Sequence, residues 1–374
     1  METYRINSKL REDDREYLIH TTNDPSVGSV STTVFVDGVQ TETVSCPHPT
    51  ESDPQEVLSL VKMTHGEKKK EVETLLRTYH EVVQQGDPDT TYQLGTAFFY
   101  KRFFSEAARL FVQAEQLRPG HHQAANYLGM TYLALGRFEE AVEAARRAVS
   151  SRPGYADYRN NLGEAYLADN DPEAAIVEFQ QAISINMYYG DAYLNLGLAY
   201  LLASINAGPA AGKTHSVEKI TGYVHKASLI YPEFKKRSDF DEGMRALSSG
   251  DRGRALILFK EIRDARKESR RKEFSAFYMR FVTSPGLATE KALVERISFL
   301  EGELRRNPTY VDLQAELAHC YLEHARLTWR KGVEQFRKTA EMNSSLPGIV
   351  EAVNQSDQVR HLIDDAVGKI TGKR

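Results

Sequence analysis

A fourfold repetition of one dipeptide constrains this chain more than any other feature of its sequence. Leu-Gly recurs at intervals of 34 residues, and an aromatic residue stands three positions after each glycine. The dipeptides are Leu94-Gly95, Leu128-Gly129, Leu162-Gly163 and Leu196-Gly197, and the aromatic residues are Phe98, Tyr132, Tyr166 and Tyr200. Residues three or four positions apart share one face of a helix. The period therefore predicts stacked repeats, each beginning with a helix that buries the same stripe.

A second helix is predicted in each of the first three repeats. Small residues recur there at a fixed spacing, an aromatic stands between them in two repeats, and prolines end two of the helices. The small residues are Ala107, Ala114, Ala141, Ala148, Ala175 and Ala182, the aromatics are Phe111 and Phe179, and the prolines are Pro119 and Pro153. Small side chains let two helices approach closely, so each repeat is predicted to be a helical hairpin.

This pattern resembles the tetratricopeptide-repeat (TPR) family over residues 88–187. In the first repeat the positions of the family motif are taken by Leu94, Gly95, Phe98, Ala107, Phe111, Ala114 and Pro119. The resemblance implies a mostly α-helical fold, a right-handed superhelical solenoid whose inner surface binds other proteins. Four TPR units are expected over residues 88–232. The fourth carries an insertion of 11 residues, which places a loop at 203–216.

Divergent hairpins are expected over residues 233–346, because the spacing of the motif persists there. Gly243, Ala255 and Phe259 are separated as Gly95, Ala107 and Phe111 are, which predicts a fifth hairpin. A further pair is expected from residue 273 to 307 with its turn at 284–286. Another hairpin is expected from Val311, with Leu317, Ala318, Tyr321 and Phe336 at motif positions. Residues 347–374 are predicted to form a C-terminal capping helix.

The N-terminal region differs from the repeats in composition and in the pattern of its apolar residues. Two alternating runs of β-branched residues flank Asp37-Gly38, which predicts a β-hairpin within residues 1–52 and a small sheet of two or three strands. Residues 53–86 are expected to form connecting helices that pack on this sheet, with a break at Gly66. Two roles remain open for the sheet: it caps the first helical hairpin, or its edge strand pairs with a partner or with a second copy.

The sequence contains no recognisable catalytic, cofactor-binding or metal-binding arrangement, so an enzyme is not expected. Gly208 to Thr214 resembles a phosphate-binding loop but has one residue too few between its glycines. His121, His122 and His225 are expected to be surface residues. Neither Cys46 nor Cys320 has metal-ligand spacing around it. The basic run of residues 263–272 is interleaved with acidic residues, as on a solvated helix face.

Composition and charge restrict the partners of the protein. A formal net charge of -4 gives no global field that attracts nucleic acid. The sequence has no apolar stretch long enough to predict membrane insertion. The absence of a disulfide pattern and of a signal peptide favours a cytoplasmic protein. Proteins are therefore the expected partners, and a homo-oligomer is possible.

The expected binding surface is the concave groove, lined in TPR proteins by the first helix of each unit. By offset from each glycine, the predicted groove residues are Tyr92, Thr96, Phe99, Tyr100, Asn126, Met130, Asn160, Asn161, Glu164, Leu194, Asn195 and Leu198. None is basic, so the resemblance does not extend to TPRs that clamp a C-terminal carboxylate. Asn161 and Asn195 match the amide ladder of the O-linked GlcNAc transferase superhelix, which holds a peptide backbone. Solvated or capping asparagines are the alternative, and the helices of residues 53–85 are an alternative occupant of the groove.

Three functional hypotheses follow. The first is a non-catalytic adaptor or scaffold that binds a peptide or helix of a partner in the concave groove. The second is a structural protein that assembles with itself through its N-terminal sheet or its C-terminal hairpins. The third, supported only by the glycine loop, is a regulatory subunit of a nucleotide-dependent machine.

Overall fold

The computed structural model describes residues 2–12, 15–208, 216–283, 290–306, 311–343 and 348–371. The chain divides into two compact units, residues 1–283 and residues 284–374. The first unit contains a sheet, a long connecting helix and five helical hairpins. The described part of the second contains three helices. The fold is mostly helical with a small antiparallel sheet, as the sequence predicts.

Four antiparallel strands form the N-terminal sheet in sequential order: β1 (Arg5–Glu12), β2 (Arg15–Asp24), β3 (Ser29–Val36) and β4 (Val39–Pro47). The predicted hairpin is the β3–β4 pair, in which Val36 faces Val39 across the turn. Both turn residues have positive φ, 50° at Asp37 and 82° at Gly38. This conformation suits the right-handed twist of a two-residue hairpin. The prediction of two or three strands was too small, because β1 also pairs with β2 along its whole length.

Helix α1 (Pro54–Gln85) is a single helix of 32 residues, so the predicted break at Gly66 is wrong. Asp53 caps its first turn by accepting a hydrogen bond from the amide of Gln55 at 3.1 Å. A glycine inside a helix costs only about 1 kcal/mol relative to alanine. The apolar face of α1, which buries Val57 and Val61 against Val30 of the sheet, offsets that cost.

The sheet is fixed to the first helical hairpin by buried polar contacts. Glu42 of β4 accepts from Lys68 of α1 at 3.0 Å and lies 3.3 Å from the ammonium of Lys101. Tyr17 of β2 is buried and donates its hydroxyl proton to the carboxylate of Glu106 at 2.9 Å. Burial, and then the negative charge of Glu106, raise the pKa of the Tyr17 hydroxyl well above its usual range. These contacts fit the first of the two roles expected for the sheet, that of a cap.

Five helical hairpins follow α1 in the first unit. They are α2 (Pro88–Tyr100) with α3 (Phe104–Leu117), α4 (His122–Ala134) with α5 (Phe138–Ser151), α6 (Ala156–Ala168) with α7 (Pro172–Ile185), α8 (Gly190–Asn206) with α9 (Val217–Ile230), and α10 (Ser238–Ser248) with α11 (Arg252–Thr283). A short 3₁₀ helix, Pro232–Lys236, connects α9 to α10. Of the expected loop at 203–216, residues 203–206 still belong to α8, and residues 209–215 lie outside the described part of the chain.

The glycines of the repeat lie where the two helices of a hairpin touch. A Cβ atom added to Gly95 would lie 2.7 Å from the ring of Phe111, and one added to Gly163 would lie 2.6 Å from Phe179. The corresponding distance in α10/α11, from Gly243 to Phe259, is 2.8 Å. The fifth hairpin therefore has the same close approach as the earlier ones, although Glu242 replaces the leucine before its glycine.

The second unit consists of α12 (Glu290–Arg306), α13 (Val311–Met342) and α14 (Ile349–Thr371). The hairpin predicted to start at Val311 is absent, because α13 continues without a turn through Leu317, Tyr321 and Phe336. No proline interrupts that stretch. The pair predicted for residues 273–307 is also different, since its first part is the end of α11. The turn predicted at 284–286 lies outside the described residues. The predicted capping helix corresponds to α14, and Trp329 of α13 donates to the carbonyl of Ser356 at 3.1 Å.

Candidate functional site

The predicted groove residues lie on the first helices of the first four hairpins. These helices, α2, α4, α6 and α8, pack side by side and form the inner row of the first unit. None of the twelve predicted residues is exposed. Buried members are Thr96, Asn126, Asn160, Leu194, Asn195 and Leu198, and half-buried members are Tyr92, Phe99, Tyr100, Met130, Asn161 and Glu164. Something must therefore cover the inner row.

The cover is the C-terminal half of α11. The first half of this helix is the second helix of the fifth hairpin and buries Ala255, Leu258, Phe259 and Ile262. From Arg263 onward the same helix lies against α8 and α2, at opposite ends of the inner row. We call residues 263–274 the groove segment. The groove segment, and not solvent or the helix of residues 53–85, therefore fills the groove.

Asp191, at the start of α8, anchors the groove segment at the fourth repeat. Its carboxylate accepts from Arg266 at 3.0 Å and from the hydroxyl of Tyr231 at 3.1 Å, and Arg270 lies 3.7 Å away. Burial tends to raise the pKa of Asp191, but the positive charges of Arg266 and Arg270 outweigh it, so the pKa is lowered. The carboxylate therefore stays ionised and holds two cations of α11 at once.

Glu164 of α6 is the second acidic contact in the groove. It forms an ion pair with Lys267, and it accepts from Asn195 at 2.9 Å and from Asn160 at 3.3 Å. Burial raises its pKa, but Lys267 and then Arg263 outweigh that effect and lower it. Amides from two repeats thus hold the carboxylate toward the groove segment, where it meets a lysine.

The first repeat contributes an aromatic surface and a helix terminus. The ring of Phe274 stacks on Tyr100 with centroids 5.3 Å apart and an interplanar angle of 17°. Arg271 donates to the backbone carbonyl of Tyr100 at 2.7 Å. That carbonyl belongs to the last residue of α2, where unpaired carbonyls and the helix dipole favour a cation. Tyr127, which was not among the predicted residues, completes this surface through a 3.0 Å contact between its hydroxyl and that of Tyr100.

Asn161 and Asn195, the two asparagines of the predicted amide ladder, each bond to an asparagine of the preceding repeat. Asn161 donates to Asn126 at 2.9 Å, and Asn195 donates to Asn160 at 3.0 Å. Each pair joins one repeat to the next. In this conformation both amides therefore link neighbouring repeats, and the buried Asn195 also orients Glu164.

Other residues considered for chemistry have structural surroundings. His121 was expected at the surface but is buried, where its ring accepts from the amide of Ala124 at 3.3 Å. His122 is half-buried and lies 2.7 Å from the hydroxyl of Tyr158. Burial, followed by the charges of Arg152 and His121, lowers the pKa of His122 to about 4. Among the described residues, no cluster of three or more His, Cys, Asp or Glu side chains is arranged to hold a metal ion.

The predictions about the glycine-rich string and about membrane insertion can be compared with only part of the chain. The string from Gly208 to Thr214 lies, apart from Gly208, outside the described residues. In the part of the chain that is described, no helix combines the length and the apolar character needed to span a bilayer.

Sequence reasoning missed the groove segment itself. Arg266, Lys267 and Arg271 lie in the run of residues 263–272, which was interpreted as a solvated helix face, and Phe274 follows that run. Some local pairs do exist there, such as Arg271 with Glu268 at 2.8 Å. The available signal was that the cations recur at a helical spacing that ends on an aromatic, as on a helix that faces an acidic surface.

Part of this chain is similar to known tetratricopeptide-repeat sequences. Solved structures similar to this chain include the crystal structure of MamA, with 26% identity over 49% of this chain and 96% of that chain and a TM-score of 0.35. Another is MamA residues 41 to the end from Desulfovibrio magneticus RS-1, with 18% identity over 49% and 97% and a TM-score of 0.37. No curated protein matches this chain at a significant level. A tetratricopeptide-repeat family model matches residues 92–156 and 128–189.

Proposed function

Because residues 92–189 are tetratricopeptide repeats, we propose that this protein is a non-catalytic adaptor or scaffold that binds a helix of a partner in its groove. One observation carries the proposal: the groove already holds a helix, the groove segment of α11. That helix is bound through residues of the first, third and fourth repeats, including Tyr100, Glu164 and Asp191. A surface that binds one helix by side-chain contacts has the shape and the polarity to bind another.

The two halves of α11 are held in different ways, which favours exchange. Its first half contributes four buried apolar side chains to the fifth hairpin. Among the described side chains of the groove segment, Phe274 is the buried apolar one. The other contacts are ion pairs, hydrogen bonds and the guanidinium of Arg266 over the ring of Tyr231, 3.5 Å from its centroid. Each ionic contact of the groove segment can be replaced by a cation of an incoming helix, whereas displacement of the first half would lose its apolar burial, about 1.5–3 kcal/mol per large side chain. The groove segment is thus the more easily displaced half.

A peptide added in trans tests the proposal. In a groove-opened variant carrying Arg266→Ala, Arg271→Ala and Phe274→Ala, a fluorescent peptide of residues 262–276 is expected to bind. The parent protein is expected to bind it much more weakly, because its tethered helix competes at an effective concentration in the millimolar range. Fluorescence anisotropy measures the affinity, and hydrogen exchange over residues 263–274 reports whether the segment has been released.

A matched control uses two exposed positions of the same helix, Asp264→Ala and Ser269→Ala. This variant is expected to behave as the parent protein does. A released groove segment without peptide binding would show that the groove is not a helix-binding site, and the proposal would then be wrong.

Self-assembly is a second candidate, supported by the edge of the sheet. Among the described strands β4 pairs only with β3, and its Val39 and Val44 side chains are 67% and 40% exposed. An exposed edge strand can pair with a second copy. Light scattering at increasing concentration tests this alternative. Association that a Val44→Lys substitution abolishes would support it, whereas a constant monomer mass would exclude it.

A further inference from the structure

The groove segment presents its contacts on one face of α11. Arg266, Lys267, Arg270 and Arg271 form two cationic pairs one helical turn apart, and Phe274 stands three residues further along. Residues with this spacing lie along one side of a helix. The segment is thus a basic helix with an aromatic residue at its far end.

The inner row offers complementary contacts in the same order. Asp191 of the fourth repeat meets Arg266 and Arg270, and Glu164 of the third repeat meets Lys267. In the first repeat, Tyr100 supplies a carbonyl to Arg271 and a ring to Phe274. Two carboxylates followed by a helix C-terminus and an aromatic ring form a site that attracts cations along most of its length.

The arrangement of the carboxylates indicates a site rather than two unrelated surface pairs. The side chains of Asp191 and Glu164 are 19% and 12% exposed, and polar side chains of the third and fourth repeats orient them. Asn160 and Asn195 hold Glu164, while the hydroxyl of Tyr231 holds Asp191. A carboxylate withdrawn from water requires a compensating cation, because an unpaired buried charge is strongly unfavourable. Any helix that replaces the groove segment must therefore supply cations at these two points.

We propose that the partner is a basic helix with two cationic pairs one turn apart and an aromatic residue three positions beyond them. The groove segment of α11 carries the same pattern and therefore occupies the partner's site. This inference rests on the proposed function and narrows it, since it states what the partner helix must carry. It also excludes an acidic helix or a peptide bound through a terminal carboxylate. Such ligands would place negative charge against Asp191 and Glu164 and leave both without a cation.

Substitutions in the peptide test the inference without any risk of unfolding the protein. In the groove-opened variant, the peptide of residues 262–276 is compared with a version carrying Glu at the positions of Arg266, Lys267, Arg270 and Arg271. A third version has Ala at the position of Phe274. We expect the charge reversal to weaken binding at least tenfold at low salt. The loss of the aromatic ring is expected to weaken it about threefold to tenfold.

A reciprocal change in the protein supplies the decisive control. A Glu164→Lys substitution in the groove-opened variant is expected to weaken binding of the original peptide. It is also expected to strengthen binding of a peptide whose Lys267 alone is replaced by Glu. Such a reversal of preference requires the two side chains to meet in the trans complex. A general loss of folding would weaken both peptides alike, and circular dichroism would detect it.

The outcomes separate this inference from the proposed function. Equal binding of the original and charge-reversed peptides would refute the basic-helix requirement and leave the groove as a helix-binding site. Binding of no peptide to a groove whose segment is released would refute both. A groove segment that stays protected in the triple variant would also refute the inference, because the contacts that define the partner would then not be those that hold α11.

Discussion

Phe274 of α11 stacks on Tyr100 of α2, with ring centroids 5.3 Å apart and planes within 17° of parallel. Tyr100 belongs to the first repeat, and Phe274 lies 22 residues into the helix that completes the fifth hairpin. The stack therefore connects the two ends of the repeat array through the groove. It marks the end of the groove segment that lies farthest from the buried half of α11.

Removal of this stack is expected to loosen the groove segment without unfolding the repeats. A Phe274→Ala substitution loses a buried aromatic side chain and a ring pair worth about 0.5–1.5 kcal/mol beyond its buried area. Hydrogen exchange should accelerate over residues 263–274 and remain unchanged in α4 to α7. Leu229→Ala, at a side chain that is 58% exposed, is the control and should alter neither region. Uniform acceleration across the repeats would show that the segment and the repeats open as one unit.

The helical repeats were predictable because their signal is local and recurs. The Leu-Gly spacing fixed the positions of α2 to α9, and the glycine contacts explain why. At Gly163 an added Cβ would lie 2.6 Å from Phe179, so the close contact between the two helices requires a glycine there. A glycine at this position in the sequence therefore indicates that contact. Gly243 carried the same information for the fifth hairpin, despite the loss of the preceding leucine.

Gly243 also offers a direct test of the fifth hairpin. We expect Gly243→Ala to destabilise the protein by about 1–3 kcal/mol, because the new methyl group would lie 2.8 Å from the ring of Phe259. Gly222→Ala is the matched control, since it lies within helix α9 and an added Cβ meets no atom within 4 Å. That change should stabilise the protein by up to about 1 kcal/mol, as alanine is the better helix former. Urea denaturation followed by circular dichroism measures both, and equal stabilities would contradict the packing.

The groove segment was not predictable in the same way, because its partners are distant in sequence. Lys267 pairs with Glu164, 103 residues earlier, and Arg266 pairs with Asp191, 75 residues earlier. Their spacing indicates one helix face but does not identify what that face contacts, and Arg271 also pairs with Glu268 one turn away. The end of the fifth hairpin was equally hidden, since no proline or glycine follows Ile262 until well beyond the groove segment.

The sheet was predicted only where a turn or β-branched residues identified it. Asp37-Gly38 located the β3–β4 hairpin, whereas β1 carries Arg5, Lys9 and Arg11 on its exposed face and gave no apolar signal of its own. The buried connection of the sheet to the helices depends on the ion pairs of Glu42 with Lys68 and Lys101, and on the hydrogen bond from Tyr17 to Glu106. Alternation within a single strand cannot reveal contacts of that kind.

The buried ion cluster of the sheet should contribute strongly to stability. Glu42 shares Lys68 and Lys101 with Glu71, and the side chains of the two lysines are 9% and 7% exposed. A Glu42→Gln substitution leaves two buried cations facing one carboxylate, and we expect a loss of about 3 kcal/mol in the free energy of unfolding. Glu73→Gln removes an exposed pair with Lys69 and should cost less than about 0.5 kcal/mol. A loss no larger than that of the control would show that Glu42 is not needed to fix the sheet.

The groove segment is expected to lose its hold in acid. The pKa values of Asp191 and Glu164 lie below the ordinary values of 3.8 and 4.5, because nearby cations outweigh the effect of burial. A carboxylate with a lowered pKa stabilises the folded state fully above its ordinary pKa. That contribution disappears as the pH falls through the folded value. Both contributions should therefore be intact at pH 6. The contribution of Glu164 should decline progressively below about pH 4.5, and that of Asp191 below about pH 3.8.

An Asp191→Asn variant isolates this effect from the other acidic groups that titrate in the same range. At pH 6 the variant lacks the anion opposite Arg266 and Arg270 and should be less stable by about 1–3 kcal/mol. As the pH falls, Asp191 in the parent protein becomes neutral too, so the two unfolding free energies should converge. Glu242→Gln, which removes an exposed pair with Arg254, should differ little from the parent at any pH. A difference between Asp191→Asn and the parent that persists unchanged at pH 3 would mean that Asp191 acts through its shape and hydrogen bonds. The charge complementarity on which the basic-helix partner depends would then lose its main support.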